Sequence, residues 1–200
     1  MAKLYFKYGA MGSSKTAQAL ITKFNYEERG MIVWLIKPAT DSRDGENMIQ
    51  SRMGLKSEVR TISKSDNIFE VFLSEAESSN VIIADECQFF TKEHIDQLRR
   101  ISDERDVPVL CFGLRTDFLT RLFDGSKRLF EVADSIAEIK TICDCGAKAT
   151  VNARLDEHGM IVTEGAQVLL GGNDRYIAMC HKCWVRGIRE RRKIKLHGQN

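Results

Sequence analysis

Leu4-Tyr5-Phe6-Lys7-Tyr8, running into Gly9-Ala10-Met11-Gly12-Ser13-Ser14-Lys15-Thr16, is the stretch on which the fold turns. A short apolar-aromatic run that stops at a glycine reads as a strand. Beyond the small residues, Ala17, Leu20, Ile21 and Phe24 recur at i, i+3, i+4 and i+7, a helix with one buried face. Arg29-Gly30 supplies a basic last turn and a following glycine to end it. Strand, small-residue loop and helix are the setting a phosphate loop requires, because the loop's backbone N–H groups and the positive end of the helix then converge on one anion. In that reading Lys15 reaches the β- and γ-phosphates and Thr16 offers its hydroxyl to Mg²⁺. Ser14 stands where the motif carries glycine. A Cβ there costs roughly 1–3 kcal/mol if the backbone occupies a region that favours glycine. The plain alternative is an ordinary turn of small residues into a helix.

The alternation continues along the chain. Met31 to Ile36 reads as a fully buried strand closed by Lys37-Pro38, and Ile68, Val71, Phe72 and Ala76 mark a second helix. Val81 to Ala84 is a buried strand ending at Asp85, Ile95, Leu98 and Ile101 mark a third helix, and Val107 to Gly113 a further strand with Pro108 near its start. Repeated strand–helix–strand order predicts an α/β fold, a parallel sheet with helices on its faces. Ligands of such sheets bind outside the carboxyl ends of the strands. Asp85 then sits where an acid would hold Mg²⁺, and Glu86 where a second carboxylate would accept a proton from an attacking hydroxyl. The bland reading of the pair is two surface acids at a helix start.

Near residue 140 the texture changes: long apolar runs stop and glycine becomes frequent. The expected division is a nucleotide-binding domain over 1–140 and a small module over 141–200. Cys143-x-Cys145 and Cys180-x-x-Cys183 lie in that module. Cysteine pairs on two turns are how a structural Zn²⁺ obtains its tetrahedral ligands. The first pair is tight, so His181 or another ligand could enter instead. Cys87 and Cys111 read as small core residues.

With 30 basic and 28 acidic side chains the chain carries a net charge of +2, which gives no global field for nucleic acid or membrane. Apolar residues at 43% and charged residues at 29% exclude a disordered or fibrous chain. The longest apolar run, Met31 to Ile36, is far short of the ~20 residues of a membrane span, and the N-terminus reads as free of a signal peptide. Cysteine usage suits a cytosolic chain with thiols or bound metal. The basic C-terminus (Arg186, Arg189, Arg191, Arg192, Lys193, Lys195) reads as a solvated helix end and tail, and His94 as a surface residue of the third helix.

Taken together the motifs resemble those of type II thymidine kinases, a zinc-containing P-loop family. The resemblance runs from about residue 3 to 184. Tyr8-Gly9-Ala10-Met11 into Ser14-Lys15-Thr16 is followed by Lys37-Pro38, Asp41-Ser42-Arg43-Asp44, Ser51-Arg52-Met53-Gly54 and Asp85-Glu86-Cys87-Gln88-Phe89. Gly113-Leu114-Arg115-Thr116-Asp117-Phe118, the four cysteines and Gly171-Gly172-Asn173-Asp174-Arg175-Tyr176 complete the series.

The resemblance implies a RecA-like parallel sheet with a zinc module and a lasso loop over about Glu164 to Tyr176. It implies transfer of the γ-phosphoryl of ATP to the 5′-hydroxyl of thymidine. Glu86 would be the base, and Lys15 and Arg43 would stabilise the transferred phosphoryl. Gly9, Ala10, Met11, Gly12, Ser13, Ser14, Lys15 and Thr16 would take the phosphates, with Thr16 and Asp85 holding Mg²⁺. Phe118 would stack on thymine, Met11 and Leu114 would line the pocket near its methyl group, and Gln167, Leu169 and Tyr176 would lie near the base. Cys143, Cys145, Cys180 and Cys183 would hold structural Zn²⁺. A homotetramer, feedback inhibition by thymidine triphosphate and a cytoplasmic location follow from the same resemblance, with neither membrane nor nucleic acid as partner. The competing readings are a P-loop zinc protein acting on nucleic acid and a nucleotide-binding relative whose catalysis Ser14 weakens. Leu119 departs from the arginine many relatives carry there.

Overall fold

The computed structural model describes residues 1–40, 45, 47–168 and 175–197, with side chains through Arg191. Arg43, Leu169 and the quoted stretches 41–44 and 171–174 lie outside the described residues. The chain divides into two compact units, one of Met1–Tyr8, Ser14–Arg115 and Phe123–Ile139, the other of Gly9–Ser13, Thr116–Leu122 and Lys140–Asn200.

In the first unit β1 (Leu4–Tyr8) leads to α1 (Lys15–Glu27), β2 (Val33–Pro38), a small antiparallel hairpin of β3 (Met48–Gln50) and β4 (Lys56–Glu58), and β5 (Arg60–Ile62). Then come α2 (Ile68–Glu75), β6 (Val81–Ala84), α3 (Lys92–Arg105), β7 (Val109–Gly113), α4 (Asp124–Val132) and β8 (Ser135–Glu138). Six strands form one sheet in the order β5-β2-β6-β7-β1-β8, and each neighbouring pair is parallel. The expected α/β class is the observed one.

The strands read as apolar runs because both faces of the sheet are covered. Leu4, Phe6, Trp34, Ile36, Ile82, Ala84, Val109 and Cys111 pack with Ile68 and Phe72 of α2, Ile95, Leu98 and Ile101 of α3, and Leu129 of α4. Their alternates Leu35, Val81, Ile83, Leu110 and Phe112 pack with Ala19 and Leu20 of α1. Each fully buried Ile, Leu or Phe contributes roughly 1.5–3 kcal/mol. Because the strands are parallel, Tyr8 and Ala84 both end at the same edge of the sheet, so Asp85 follows at that edge.

The strand expected from Met31 begins instead at Val33, and Met31 and Ile32 are exposed. Asn80 is the reason: its side chain accepts from Ile32 N at 2.7 Å and its own N–H donates to Ile32 O at 2.8 Å, an exchange made before ladder pairing starts. At its other end β2 runs through Lys37 and Pro38 rather than stopping before them. Lys37 is completely buried, with Nζ 2.8 Å from both the Gly45 and Met48 carbonyls. The strand expected from Val107 begins at Val109, just past Pro108, whose carbonyl still accepts from Ile82 N at 3.0 Å. The three-residue strands β3, β4 and β5 are too short to show a period of two, and edge strand β8 is largely exposed.

Side chains cap two of the helices. Asn67 accepts from Phe69 N and Glu70 N at the start of α2, and Thr91 from His94 N at the start of α3. In the second unit β9 (Val151–Arg154) and β10 (Tyr176–Met179) form an antiparallel pair, and α5 (His181–His197) follows. No described helix is long and apolar enough to cross a membrane.

His94 is buried at 3% exposure, contrary to the surface position expected for it. Its ring stands edge-on to Phe90 with centroids 5.5 Å apart, and Nε2 lies 3.0 Å from the Asp66 carbonyl. Helical spacing puts it beside Ile95 and Leu98, at the margin of the apolar stripe. Burial lowers its pKa below the usual 6.5, against the opposing pull of the Asp66 carbonyl. Below pH 6.5 the unfolded chain therefore takes up a proton that the folded chain resists, and stability falls with pH down to the folded-state value. The expected contribution has a slope of at most ~1.4 kcal/mol per pH unit. In His94→Gln, which retains a donor but does not titrate, urea midpoints between pH 6.5 and 5 fall less steeply than in the wild type; equal slopes would exclude His94 as their source.

Candidate active site

Ser14 precedes α1 with φ 60° and ψ 28°, a left-handed conformation that favours glycine. Its side chain makes no capping hydrogen bond, unlike Asn67 and Thr91, while its carbonyl accepts from Gln18 N at 2.9 Å and starts the helix. An N-terminus with no capping side chain suits an external anion. Lys15 follows, buried.

Thr16, in the first turn of α1, donates from Oγ1 to Asp85 Oδ2 at 2.8 Å. Asp85 is 2% exposed, and its other oxygen, Oδ1, is buried without a hydrogen-bond partner among the described residues. Its pKa is pushed up to about 7, first by burial and then by the Glu86 carboxylate, against the Thr16 hydroxyl, the Glu86 backbone N–H and the Lys15 charge. A cation beside Oδ1 would offset the burial penalty, and Thr16, its proton committed to Asp85, keeps its oxygen lone pairs available. This donor set fits a hard divalent ion.

Glu86 has φ 51° and ψ 37°, a second non-glycine residue in the left-handed region. It opens the 3₁₀ turn Cys87–Phe89, in which Phe89 N donates to Glu86 O at 3.0 Å. Gln88 donates from Nε2 to Glu86 Oε2 and accepts from Leu114 N at 2.9 Å. The Leu114 carbonyl in turn accepts from Ser126 Oγ at 2.6 Å. Of the expected site residues, the first unit thus brings together Thr16, Asp85, Glu86 and Leu114, with Lys15 close enough to act on the Asp85 charge. Cys87 and Cys111 are completely buried, the core role expected for them.

The second unit holds the other candidates. Met11 N donates to Asn152 Oδ1 at 2.8 Å, and Asn152 Nδ2 donates to the Thr116 carbonyl at 2.8 Å. One side chain therefore joins the Gly9–Ser13 segment to the turn that carries Phe118. Asp117 shapes that turn by accepting from Leu119 N at 2.8 Å and Arg121 N at 2.9 Å, and Gln167 Nε2 reaches Asp117 Oδ2 at 3.1 Å. Phe118 is buried, with the Arg154 guanidinium carbon 3.5 Å from its ring centroid. Arg154, 2% exposed, also donates to Ala166 O at 2.9 Å and lies 3.4 Å from both the Tyr176 hydroxyl and Glu164 O. Phe118, Gln167 and Tyr176 are thereby linked around Asp117 and Arg154.

Three organising residues were missed as such: Gln88, Asn152 and Arg154. The last two sit in Val151-Asn152-Ala153-Arg154, where every residue is buried. An asparagine and an arginine in so apolar a setting need partners, and that requirement is the sequence signal that could have found them.

Sγ atoms of Cys143, Cys145, Cys180 and Cys183 all lie within 4.8 Å of one another. Cys145 and Cys180 Sγ are 3.6 Å apart, too far for a disulfide and close to the ~3.8 Å edge of a tetrahedron with ~2.3 Å metal–sulfur bonds. Cys143 N donates to Ala147 O and Gly146 N to Cys143 O, both at 2.8 Å, which closes the first turn despite its single intervening residue. Cys183 N lies 3.4 Å from Cys180 Sγ. A hydrogen bond from the Cys145 backbone N–H draws the Cys143 thiol down to about 7, while the hydrogen bond with Cys180 holds Cys183 up at about 12. Four thiols this close cannot all ionise unless a cation neutralises them. Thus all four cysteines converge, and His181 is not among the clustered ligands; its ring lies 5.5 Å from that of Trp184.

A helix entered from a phosphate-type loop and a threonine bonded to the acid at the end of a parallel strand fit a phosphotransferase of the P-loop class, and the four clustered thiols could hold a metal ion. Comparison with known proteins makes the class specific. The family model described as "Thymidine kinase" matches residues 2–184. The thymidine kinase of Aliivibrio fischeri is 45% identical over 184 residues, which cover 91% of this chain and 96% of that protein. The Legionella pneumophila protein of the same name is 45% identical over 94% of this chain and 91% of its own length, and that of Agrobacterium fabrum 44% over 92% and 97%. The chain belongs to the thymidine kinase family.

The Ser14 conformation carries a stability consequence. A left-handed non-glycine residue costs about 1–2 kcal/mol, and glycine returns about 0.5–1 kcal/mol of this through unfolded-chain entropy. Ser14→Gly is therefore expected to raise folding stability by roughly 0.5–1 kcal/mol, read from urea denaturation. An unchanged or lower midpoint would contradict the strain at this position.

Proposed function

We propose that this protein transfers the γ-phosphoryl group of ATP to the 5′-hydroxyl of thymidine, giving thymidine monophosphate and ADP. The single observation that carries the reading is the Thr16–Asp85 hydrogen bond, with Asp85 Oδ1 unpartnered among the described residues, set in a chain of the thymidine kinase family. Backbone groups of Gly9, Ala10, Met11, Gly12, Ser13 and Ser14, with Lys15, bind the ATP phosphates; Arg43 adds charge at the transferred group. Thr16 and Asp85 would hold Mg²⁺, which when bound neutralises phosphate charge.

Glu86 accepts the proton of the 5′-hydroxyl as that oxygen attacks the γ-phosphorus. The bond to the β–γ bridging oxygen breaks, and its electron pair leaves with ADP. Positioning and charge account for most of such a reaction, and the base contributes typically 10²–10⁴-fold.

Phe118 stacks on thymine. Met11 and Leu114 lie towards the methyl group, and Gln167, Leu169 and Tyr176 towards the base edge. Zn²⁺ is the ion for the four cysteines, and its role is structural, since four thiolates leave no open position. Feedback inhibition by thymidine triphosphate, a homotetramer and a cytoplasmic location complete the reading.

Two measurements check it. Glu86→Gln is expected to lower kcat by about 10²–10⁴-fold while thymidine and ATP still bind; undiminished turnover would remove Glu86 from the base role. Prolonged chelation under reducing conditions is expected to release about one zinc per chain and to lower the melting temperature. Retention of both stability and activity in the metal-free protein would refute the structural zinc.

A further inference from the structure

We propose that Gln88 is the positioning residue that aims the Glu86 carboxylate. The inference rests on the reading of Glu86 as the base and adds to it the group that fixes its direction.

A side-chain amide can ordinarily be turned over without visible change, but here one end is decided by its partner. Leu114 N can only donate, and it lies 2.9 Å from Gln88 Oε1. The amide nitrogen is therefore the end that faces Glu86, and Nε2 donates to Oε2. Gln88 is 2% exposed, so neither bond has water as a ready substitute. Leu114 is itself held by Ser126 Oγ at 2.6 Å, which anchors the far end of the chain of hydrogen bonds.

The backbone around Gln88 has no slack. Gly113 abuts the turn so closely that a Cβ there would stand 2.8 Å from Gln88 Oε1 and 3.2 Å from Gln88 N. On the other side a Cβ on Gly125 would overlap the Cys87 carbonyl and stand 2.7 Å from that of Phe90. Two glycines thus grip the turn, and Glu86 enters it in the left-handed conformation. An αL glutamate has an unusual side-chain direction, and a donor clamped two residues later selects one carboxylate orientation. Gln88 touches neither the transferred phosphoryl nor the nucleoside in this scheme; it acts through Glu86.

Gln88→Glu isolates the donor, because an acceptor for Leu114 N is retained while an oxygen replaces Nε2. Gln88→Met removes both bonds at similar volume. In each, with ATP and thymidine as substrates of the full-length protein, kcat is expected to fall about 10–100-fold. KM for both substrates should stay within about threefold in Gln88→Glu. In a Glu86→Gln background the same Gln88 changes should cost nothing further, since a positioning residue without its target has no remaining effect.

Full turnover in Glu86→Gln overturns both the base and its positioner. Lost turnover in Glu86→Gln, with Gln88 effects absent, confined to KM, or undiminished in that background, overturns the positioner alone. If neither Gln88 variant folds, the Gln88 side-chain ¹⁵N amide resonances decide: they should differ between wild type and Glu86→Gln, and identical resonances overturn the proposal.

Discussion

The hydrogen bond between Thr16 and Asp85 joins the first turn of α1 to the end of β6, and the chemistry of the first unit depends on what it costs to keep Asp85 there. A carboxylate buried at the edge of a parallel sheet loses its hydration, and burial is the largest influence raising its pKa. Thr16, the Glu86 backbone N–H and Lys15 compensate only in part, since Oδ1 is left without a partner among the described residues. An apolar residue would fit the same place at no such cost, so a cation held there would account for an acid that the fold alone does not require. The sheet makes the arrangement possible. Ala19 and Leu20 seat α1 against Val81 and Ile83, so the helix start and the strand end are fixed by the same apolar layer.

The features legible in sequence were those with a period or a motif. Val81 to Ala84 announces a strand buried on both faces because four apolar residues run without a polar break. Helices α2 and α3 announce themselves through Ile68 and Phe72, and through Ile95, Leu98 and Ile101, which all lie in one layer against the sheet. The cysteines converge although their first pair is closely spaced, because a turn of two backbone hydrogen bonds around Cys143 brings the thiols round. Ser14 was recognisable as a departure from the phosphate-loop pattern, and its left-handed backbone shows why glycine belongs there.

The remainder was hidden because it depends on partners distant in sequence. His94 is polar by identity, and only the Asp66 carbonyl and the Phe90 ring make a buried site tolerable. Lys37 belongs to the same class: its ammonium is accepted inside because two loop carbonyls converge on it. Arg154 lies 36 residues beyond the aromatic ring it covers, as the difference between 154 and 118 shows. Asn152 binds backbone groups at positions 11 and 116, a relation no local pattern encodes. Short strands such as β5 fail for a different reason, since three residues cannot establish a period.

Strain follows the same division between fold and function. Ser14, Glu86, Asp106 and Thr120 are the non-glycine residues with positive φ among those described. Asp106 directly follows α3, where a left-handed residue ends a helix in the ordinary way. Thr120 lies within the tight turn that Asp117 closes, with its N–H 3.2 Å from the Asp117 carbonyl. No such local account covers the other two. Ser14 starts a helix it does not cap, and Glu86 breaks away from β6 beside a buried acid. Left-handed backbone at a β-carbon costs about 1–2 kcal/mol per residue, and both instances fall on the segments that carry the phosphate-loop lysine and the paired carboxylates. Packing at Gly113 and Gly125 holds the second of them in place. A sequence selected only to fold would relax both positions with glycine; Glu86 cannot be relaxed that way without losing the carboxylate.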